Sequence, residues 1–170
     1  MSLERNLSEK VALVTGGAQG LGAAIGHLLS RQGAVTVLID IDLPAAEQRA
    51  SEIEQQTGTL VQAAACDVGE EDQVAELVVR LAAEHGQIDV LVNNAGIHRR
   101  VDPLAPQLED VKEIFRVNLL GVLNMSSAVG WFDTAAACSS VAVSPSSHAA
   151  TSSRTSNGSC TLDAPLRNTA

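Results

Sequence analysis

Two hydrophobic periods alternate along the first 130 residues, and this alternation constrains the fold more than any other feature. Val11 to Thr15 (VALVT) is a short apolar run, as a strand buried on both faces requires. A glycine cluster follows it. Leu21, Ile25, Leu28 and Leu29 then recur at helical spacing, and Gly33 is placed to end that helix. Val35 to Ile39 is rich in β-branched residues and reads as a second strand. Pro44 sits where a helix can begin, Ala46, Ala50 and Ile53 give it an apolar face, and Gly58 stops it. Leu60 to Ala65 reads as a third strand. Val74, Leu77, Val78 and Leu81 mark a third helix, closed by Gly86, and Ile88 to Val92 a fourth strand. A longer helix is predicted from about Pro106 to about Val129, with Val111, Ile114, Phe115, Leu119 and Val122 on its inner side. Short strands separated by helices imply parallel pairing through right-handed crossovers. The predicted architecture is an α/β, doubly wound parallel sheet.

The pattern stops near Gly130. Residues 131–170 are dominated by Ser, Thr and Ala and show no sustained period. Such a segment buries too little apolar area to offset the entropy of ordering it, so a disordered tail is expected there. The expected division is an α/β domain over residues 1–130 and a tail over 131–170.

A chain of 170 residues supports one domain with a real core. With 2% aromatic residues, that core must be built from Val, Leu, Ile and Ala. The net charge of −9 comes from residues 1–130, where 9 basic side chains face 18 acidic ones. Such a surface repels phosphate backbones and anionic lipid, which argues against nucleic acid or a membrane surface as partner. The 3 cysteines and 4 histidines are scattered without ligand spacing, so neither a metal site nor a disulfide framework is expected. No apolar run is long enough to span a bilayer, and residues 1–10 have no apolar stretch of the signal-peptide kind. The expected compartment is the cytoplasm.

The glycine cluster carries the first functional signal. The run from Thr15 to Gly22 (TGGAQGLG) leaves a strand and opens a helix. Glycines let the backbone turn tightly and approach a pyrophosphate, and the helix N-terminus adds unpaired N–H donors. Asp40 closes the second strand, 18 residues after Gly22. A carboxylate there accepts hydrogen bonds from ribose hydroxyls and repels a 2′-phosphate, which favours NAD over NADP.

These residues belong to a longer series. Thr15-Gly16-x-x-x-Gly20-x-Gly22, Cys66-Asp67-Val68, Asn93-Asn94-Ala95-Gly96 and the run from Phe115 through Asn118 to Gly121 stand in order at sensible separations. Over about residues 8–130 the chain resembles the N-terminal part of the short-chain dehydrogenase/reductase family. That resemblance implies a partial, Rossmann-like NAD-binding domain over residues 1–130, its sheet incomplete and in the strand order 3-2-1-4. It implies that Gly16, Gln19, Gly20, Leu21 and Gly22 line a pyrophosphate and that Asp40 holds the adenosine ribose. Asp67 and Val68 would flank the adenine, and Asn94, Ala95 and Gly96 would border the central cofactor channel. Asn118 would hold a water of the catalytic proton relay. The implied activity is NAD-dependent oxidation of a small-molecule alcohol or reduction of a ketone. Family members commonly pair through the helix holding Asn118 and the next one, which makes a homo-oligomer an open expectation.

The family's chemistry also needs a serine, and a tyrosine and lysine spaced Tyr-x-x-x-Lys. This chain has no tyrosine, and its only lysines are Lys10 and Lys112. Cys138 to Ala142 (CSSVA) echoes the serine segment and makes Ser140 a nominal candidate, an echo that a Ser-rich tail readily produces by accident. Two readings follow: an oxidoreductase by descent that is inactive as written, or a non-catalytic dinucleotide-binding or interaction fragment.

Overall fold

The computed structural model describes residues 7–99, 104 and 107–140, the last ten of these as backbone. Four strands, β1 (Val11–Thr15), β2 (Val35–Asp40), β3 (Val61–Ala65) and β4 (Val90–Val92), form one parallel sheet in the order β3-β2-β1-β4. Between them run α1 (Gly20–Arg31), α2 (Leu43–Thr57) and α3 (Glu71–His85). After β4 come α4 (Leu108–Phe115), a π-helical turn (Arg116–Leu120) and α5 (Gly121–Ser140). The chain divides into two compact units, residues 1–133 and 134–170. Of the tail expected over residues 131–170, residues 131–140 are helical backbone and residues 141–170 lie outside the described residues. Among the described residues no helix is long and apolar enough to cross a membrane.

Strand alternation divides the core between the two sheet faces. Leu13, Val37, Ile39 and Ala64 point to the side covered by α3, Val117 and Met125. Val14, Leu38 and Val61 point to the side covered by Ala50 and Ile53 of α2, with Ile25 and Leu29 of α1 packed beside them. Leu13, Val14, Val37, Leu38 and Ile39 are fully buried, and each contributes about 1.5–3 kcal/mol of transfer free energy. Five aliphatic side chains on two central strands thus supply the core that aromatic residues would supply elsewhere.

Two helices differ from their sequence expectation. In α1 the buried face is Gly22, Ala23, Gly26 and Ser30, while Leu21 and Leu28 are exposed. Close approach explains this. A Cβ at Gly26 would stand 2.6 Å from Leu38 Cδ2, so the helix lies against the sheet through small residues and its leucines turn outward. In the last helix the π turn adds one residue to the winding and rotates the inner face. Val117, Gly121 and Met125 are buried, and the expected inner residues Phe115, Leu119 and Val122 are exposed. Helix α5 also continues to Ser140, past the end expected near Val129, through a run without proline or glycine after Gly130.

The helix ends follow local chemistry. Asp42 is the N-cap of α2, its carboxylate accepting from Ala45 N–H at 3.1 Å. Gly58 and Gly86 end α2 and α3 at φ values of 68° and 79°.

Candidate functional site

The loops at the C-terminal ends of all four strands converge on one cleft of about 460 Å³. Ligands bind at this end of open α/β sheets because crossover connections diverge there. The cleft is lined by Gly16 and Gln19 after β1, Ile39, Asp40 and Ile41 at the end of β2, Cys66, Asp67 and Val68 after β3, and Asn94 to Ile97 after β4. Arg99, Glu113, Arg116 and Val117 complete it. More open depressions lie along β3, at about 380 Å³, and between α1 and α2, at about 260 Å³.

The glycine loop is built for close backbone contact. Gly16 has φ of 64°, and a Cβ there would stand 2.9 Å from Ala95 Cα. A Cβ at Gly22 would strike the Gly16 carbonyl, so the first turn of α1 rests on the loop itself. Gly20 has open space around it but φ of 56°, so its glycine answers to backbone conformation. Helix α1 has neither a side-chain cap nor an acidic residue in its first turn. Its N-terminal N–H groups therefore face no competing acceptor from their own turn, the arrangement that anions favour. Of the five loop residues expected to line a pyrophosphate, Gly16 and Gln19 line the cleft. Gly22 is buried beneath it, Gly20 borders the depression between α1 and α2, and Leu21 is exposed.

A buried hydroxyl ties this loop to the one after β4. Thr15 Oγ1 accepts from Asn94 N–H and Ala95 N–H, both at 3.0 Å, and donates to Val92 O at 3.3 Å. The Asn94 amide in turn donates to Thr15 O at 2.9 Å and Gly16 O at 3.1 Å. Asn94 borders the cleft with its amide nitrogen turned onto the loop. Thr15 stands in the motif, yet its sequence gives no hint of this clamp beyond a polar residue ending an apolar strand.

Asp40 is held at the tip of β2. One carboxylate oxygen accepts from Ala18 N–H at 3.0 Å and the other from Asp42 N–H at 3.2 Å. Asp67 stands across the cleft, one oxygen accepting from Gly69 N–H at 2.9 Å and the other from Arg116 Nη2 at 2.9 Å. The Arg116 guanidinium beside it holds its carboxyl below the ordinary range, against the opposing effect of burial. Val68 is buried, its carbonyl accepting from Asn124 Nδ2 at 2.9 Å, and a Cβ at Gly121 would crowd its side chain. Cys66, next to Asp67, is buried, and burial pushes its thiol up to about 11, which leaves it inert as a nucleophile.

Asn118 lies in the π turn, with its amide matched to the Ile97 backbone in both directions. Its Oδ1 accepts from Ile97 N–H at 2.8 Å and its Nδ2 donates to Ile97 O at 3.0 Å. Gly96 packs nearby, where a Cβ would stand 3.4 Å from Asn118 Oδ1. The last helix therefore holds both walls of the cleft, the Asp67–Val68 wall through Arg116 and Asn124 and the Asn94–Ile97 wall through Asn118. Arg116 was readable only as part of the Asn118 motif, because an ion pair 49 residues apart in sequence leaves no local signal. The Ser140 side chain lies outside the described residues.

The cleft's volume is in the range of small-molecule sites, its glycine loop admits backbone approach, and the Asp40 carboxylate closes one end.

Comparison with known proteins agrees with this geometry. The family model for short chain dehydrogenases matches residues 10–154. The 3-oxoacyl-(acyl-carrier-protein) reductase FabG of Chlamydia trachomatis is 37% identical over 123 residues, 72% of this chain and 50% of that protein. The D-threitol dehydrogenase of Mycolicibacterium smegmatis is 38% identical over 124 residues, 73% of this chain and 47% of that one. Among solved structures, an NAD+-bound xylitol dehydrogenase superposes with a TM-score of 0.71 at 28% identity, over 74% of this chain and 48% of its own. The chain thus spans about half the length of the relatives it matches. Its motifs, its sheet order and these matches place it in the short-chain dehydrogenase family.

Proposed function

We propose that this chain is an NAD-binding module of oxidoreductase ancestry that does not itself catalyse hydride transfer. The position of Asp40 carries the cofactor assignment. Its carboxylate is fixed by two backbone N–H groups at the mouth of the cleft and lines it beside the glycine loop. A ribose 2′-hydroxyl can donate to it, whereas a 2′-phosphate would meet like charge. Gly16 and Gln19, with the open N-terminus of α1, would hold the pyrophosphate. Gly20, Leu21 and Gly22 would act by shaping that turn. Asp67 and Val68 would flank the adenine, and Asn94, Ala95 and Gly96 would border the channel toward the nicotinamide. Bound NAD supplies a hydride acceptor, and its reduced form a hydride donor. Asn118 would support the proton path by holding the Ile97 backbone in place.

Alcohol oxidation or ketone reduction also needs an acid matched in pKa to the working pH, within hydrogen-bond reach of the substrate oxygen. The family's tyrosine would fill that role, and this chain has none. We therefore assign turnover on a small-molecule alcohol or ketone to a chain that carries the Tyr-x-x-x-Lys segment. The non-catalytic reading applies to this one. A cytoplasmic, acidic protein acting on neither nucleic acid nor membrane is part of the same proposal.

Calorimetric titration tests the cofactor assignment. Wild-type chain is expected to bind NAD at least about tenfold more tightly than NADP, a difference of about 1.4 kcal/mol. Asp40→Ala is expected to bring the two affinities together. Equal wild-type affinities would remove Asp40 from the role given to it.

A further inference from the structure

One cation in the cleft serves three carboxylates. Arg116 Nε and Nη2 grip Glu113 at 2.9 and 2.8 Å, Nη2 also donates to Asp67 at 2.9 Å, and Nη1 donates to Glu70 at 3.0 Å. The three acids come from two separate segments, the turn after β3 and helix α4. Local charge around the guanidinium is thus −2, counting one cation against three anions. Two of the three line the cleft: Glu113, whose two oxygens are both taken by Arg116, and Asp67, whose side chain is 29% exposed. Each of its oxygens already accepts one hydrogen bond, from Gly69 N–H or from Arg116, so the carboxylate plane is fixed from both ends. Each oxygen keeps acceptor capacity for a second donor. A fixed, ionised acceptor in a region of negative potential attracts an N–H donor and repels a carbonyl oxygen.

We propose that Arg116 is a positioning residue that sets the base preference of the cleft. By fixing Asp67 as an ionised acceptor, it selects a 6-aminopurine over a 6-oxopurine. The inference rests on the reading of the cleft as a dinucleotide site with Asp67 beside the base, and it adds the residue that controls Asp67. Lysine would not serve equally, because three separate acceptor directions are met by one planar fork.

The two purines are compared directly by titrating the full chain with NAD and with nicotinamide hypoxanthine dinucleotide, which carries a 6-oxo group in place of the 6-amino group. Wild-type chain is expected to prefer NAD by about tenfold, the worth of one hydrogen bond to a charged group. Arg116→Met is expected to reduce that preference to about twofold or less, and Arg116→Lys to leave it between the two.

The pH profile supplies a second readout. With Arg116 removed, burial outweighs the remaining Gly69 hydrogen bond and pushes the Asp67 carboxyl up. The acid limb of NAD binding is therefore expected to move to higher pH in Arg116→Met. A purely structural role would weaken both dinucleotides equally and leave the acid limb in place. An unchanged preference in a folded variant would overturn the proposal, and if Arg116→Met does not fold, an unchanged preference in Arg116→Lys does the same. Equal binding of the two dinucleotides by wild-type chain would overturn it while leaving the NAD assignment standing. Binding of neither would remove both.

Discussion

At the scale of single residues, the site depends on groups that hold loops as much as on groups that face the cleft. Thr15 is the clearest case. It is buried, and its hydroxyl satisfies two N–H groups and one carbonyl from the loop after β4. Thr15→Val keeps the shape and removes all three bonds, leaving buried polar groups without partners. A loss of about 2–3 kcal/mol in urea unfolding is expected, with Thr15→Ser losing less than about 1 kcal/mol. Equal losses in the two variants would show that the methyl group and not the hydroxyl matters. Asp89 shows a different use of one carboxylate. Its side chain accepts from Lys10 Nζ at 2.7 Å and Val11 N–H at 2.9 Å. Burial works to raise its carboxyl, and these bonds together overcome it and hold the group below the ordinary range.

At the scale of elements, what the sequence reveals depends on the range of the interaction. Strands β1 and β2, the caps at Gly58 and Gly86 and the glycine turn are written in adjacent residues, and the structure shows them where the pattern places them. The π turn is not written that way. Extra winding at Arg116–Leu120 is set by contacts with distant segments: Arg116 to Asp67 and Glu70, and Asn118 to Ile97. Helical periodicity assumes constant winding, so it put Phe115, Leu119 and Val122 inside when the buried residues are Val117, Gly121 and Met125. The exposed leucines of α1 have a similar origin, since periodicity cannot show that Gly26 brings the helix against Leu38.

The Arg116 cluster also makes this element acid-sensitive. Arg116 holds both Asp67 and Glu113 below their ordinary values of 3.8 and 4.5. Groups depressed in the folded state stabilise it fully above their unfolded values, and the effect is lost as pH falls through the folded ones. Stability should therefore drop below about pH 4.5, and Arg116→Met should flatten that part of the curve. Thermal midpoints measured across this range check the sign; an unchanged slope in the variant would separate the cluster from acid sensitivity.

At the scale of the whole molecule, the described sheet ends at β4, whose only described partner is β1. No described strand pairs with the outer side of Val90–Val92. Phe115, Leu119, Leu120, Val122 and Leu123 leave an exposed apolar side on the last helix. Unpaired edges and apolar patches of this kind invite association. Expressed alone, the 170-residue chain is expected to self-associate and to unfold over a broad thermal range despite its net charge of −9. Sedimentation combined with thermal unfolding checks this, and a stable monomer with a sharp transition would show that four strands suffice.

Hydrogen exchange with saturating NAD tests most directly whether the four strand ends form a dinucleotide cleft. Protection is expected in four segments: residues 16–22, 40–42, 66–69 and 94–97. Protection centred on the depression along β3, at Gln62 and Arg80, or no protection at all would contradict it.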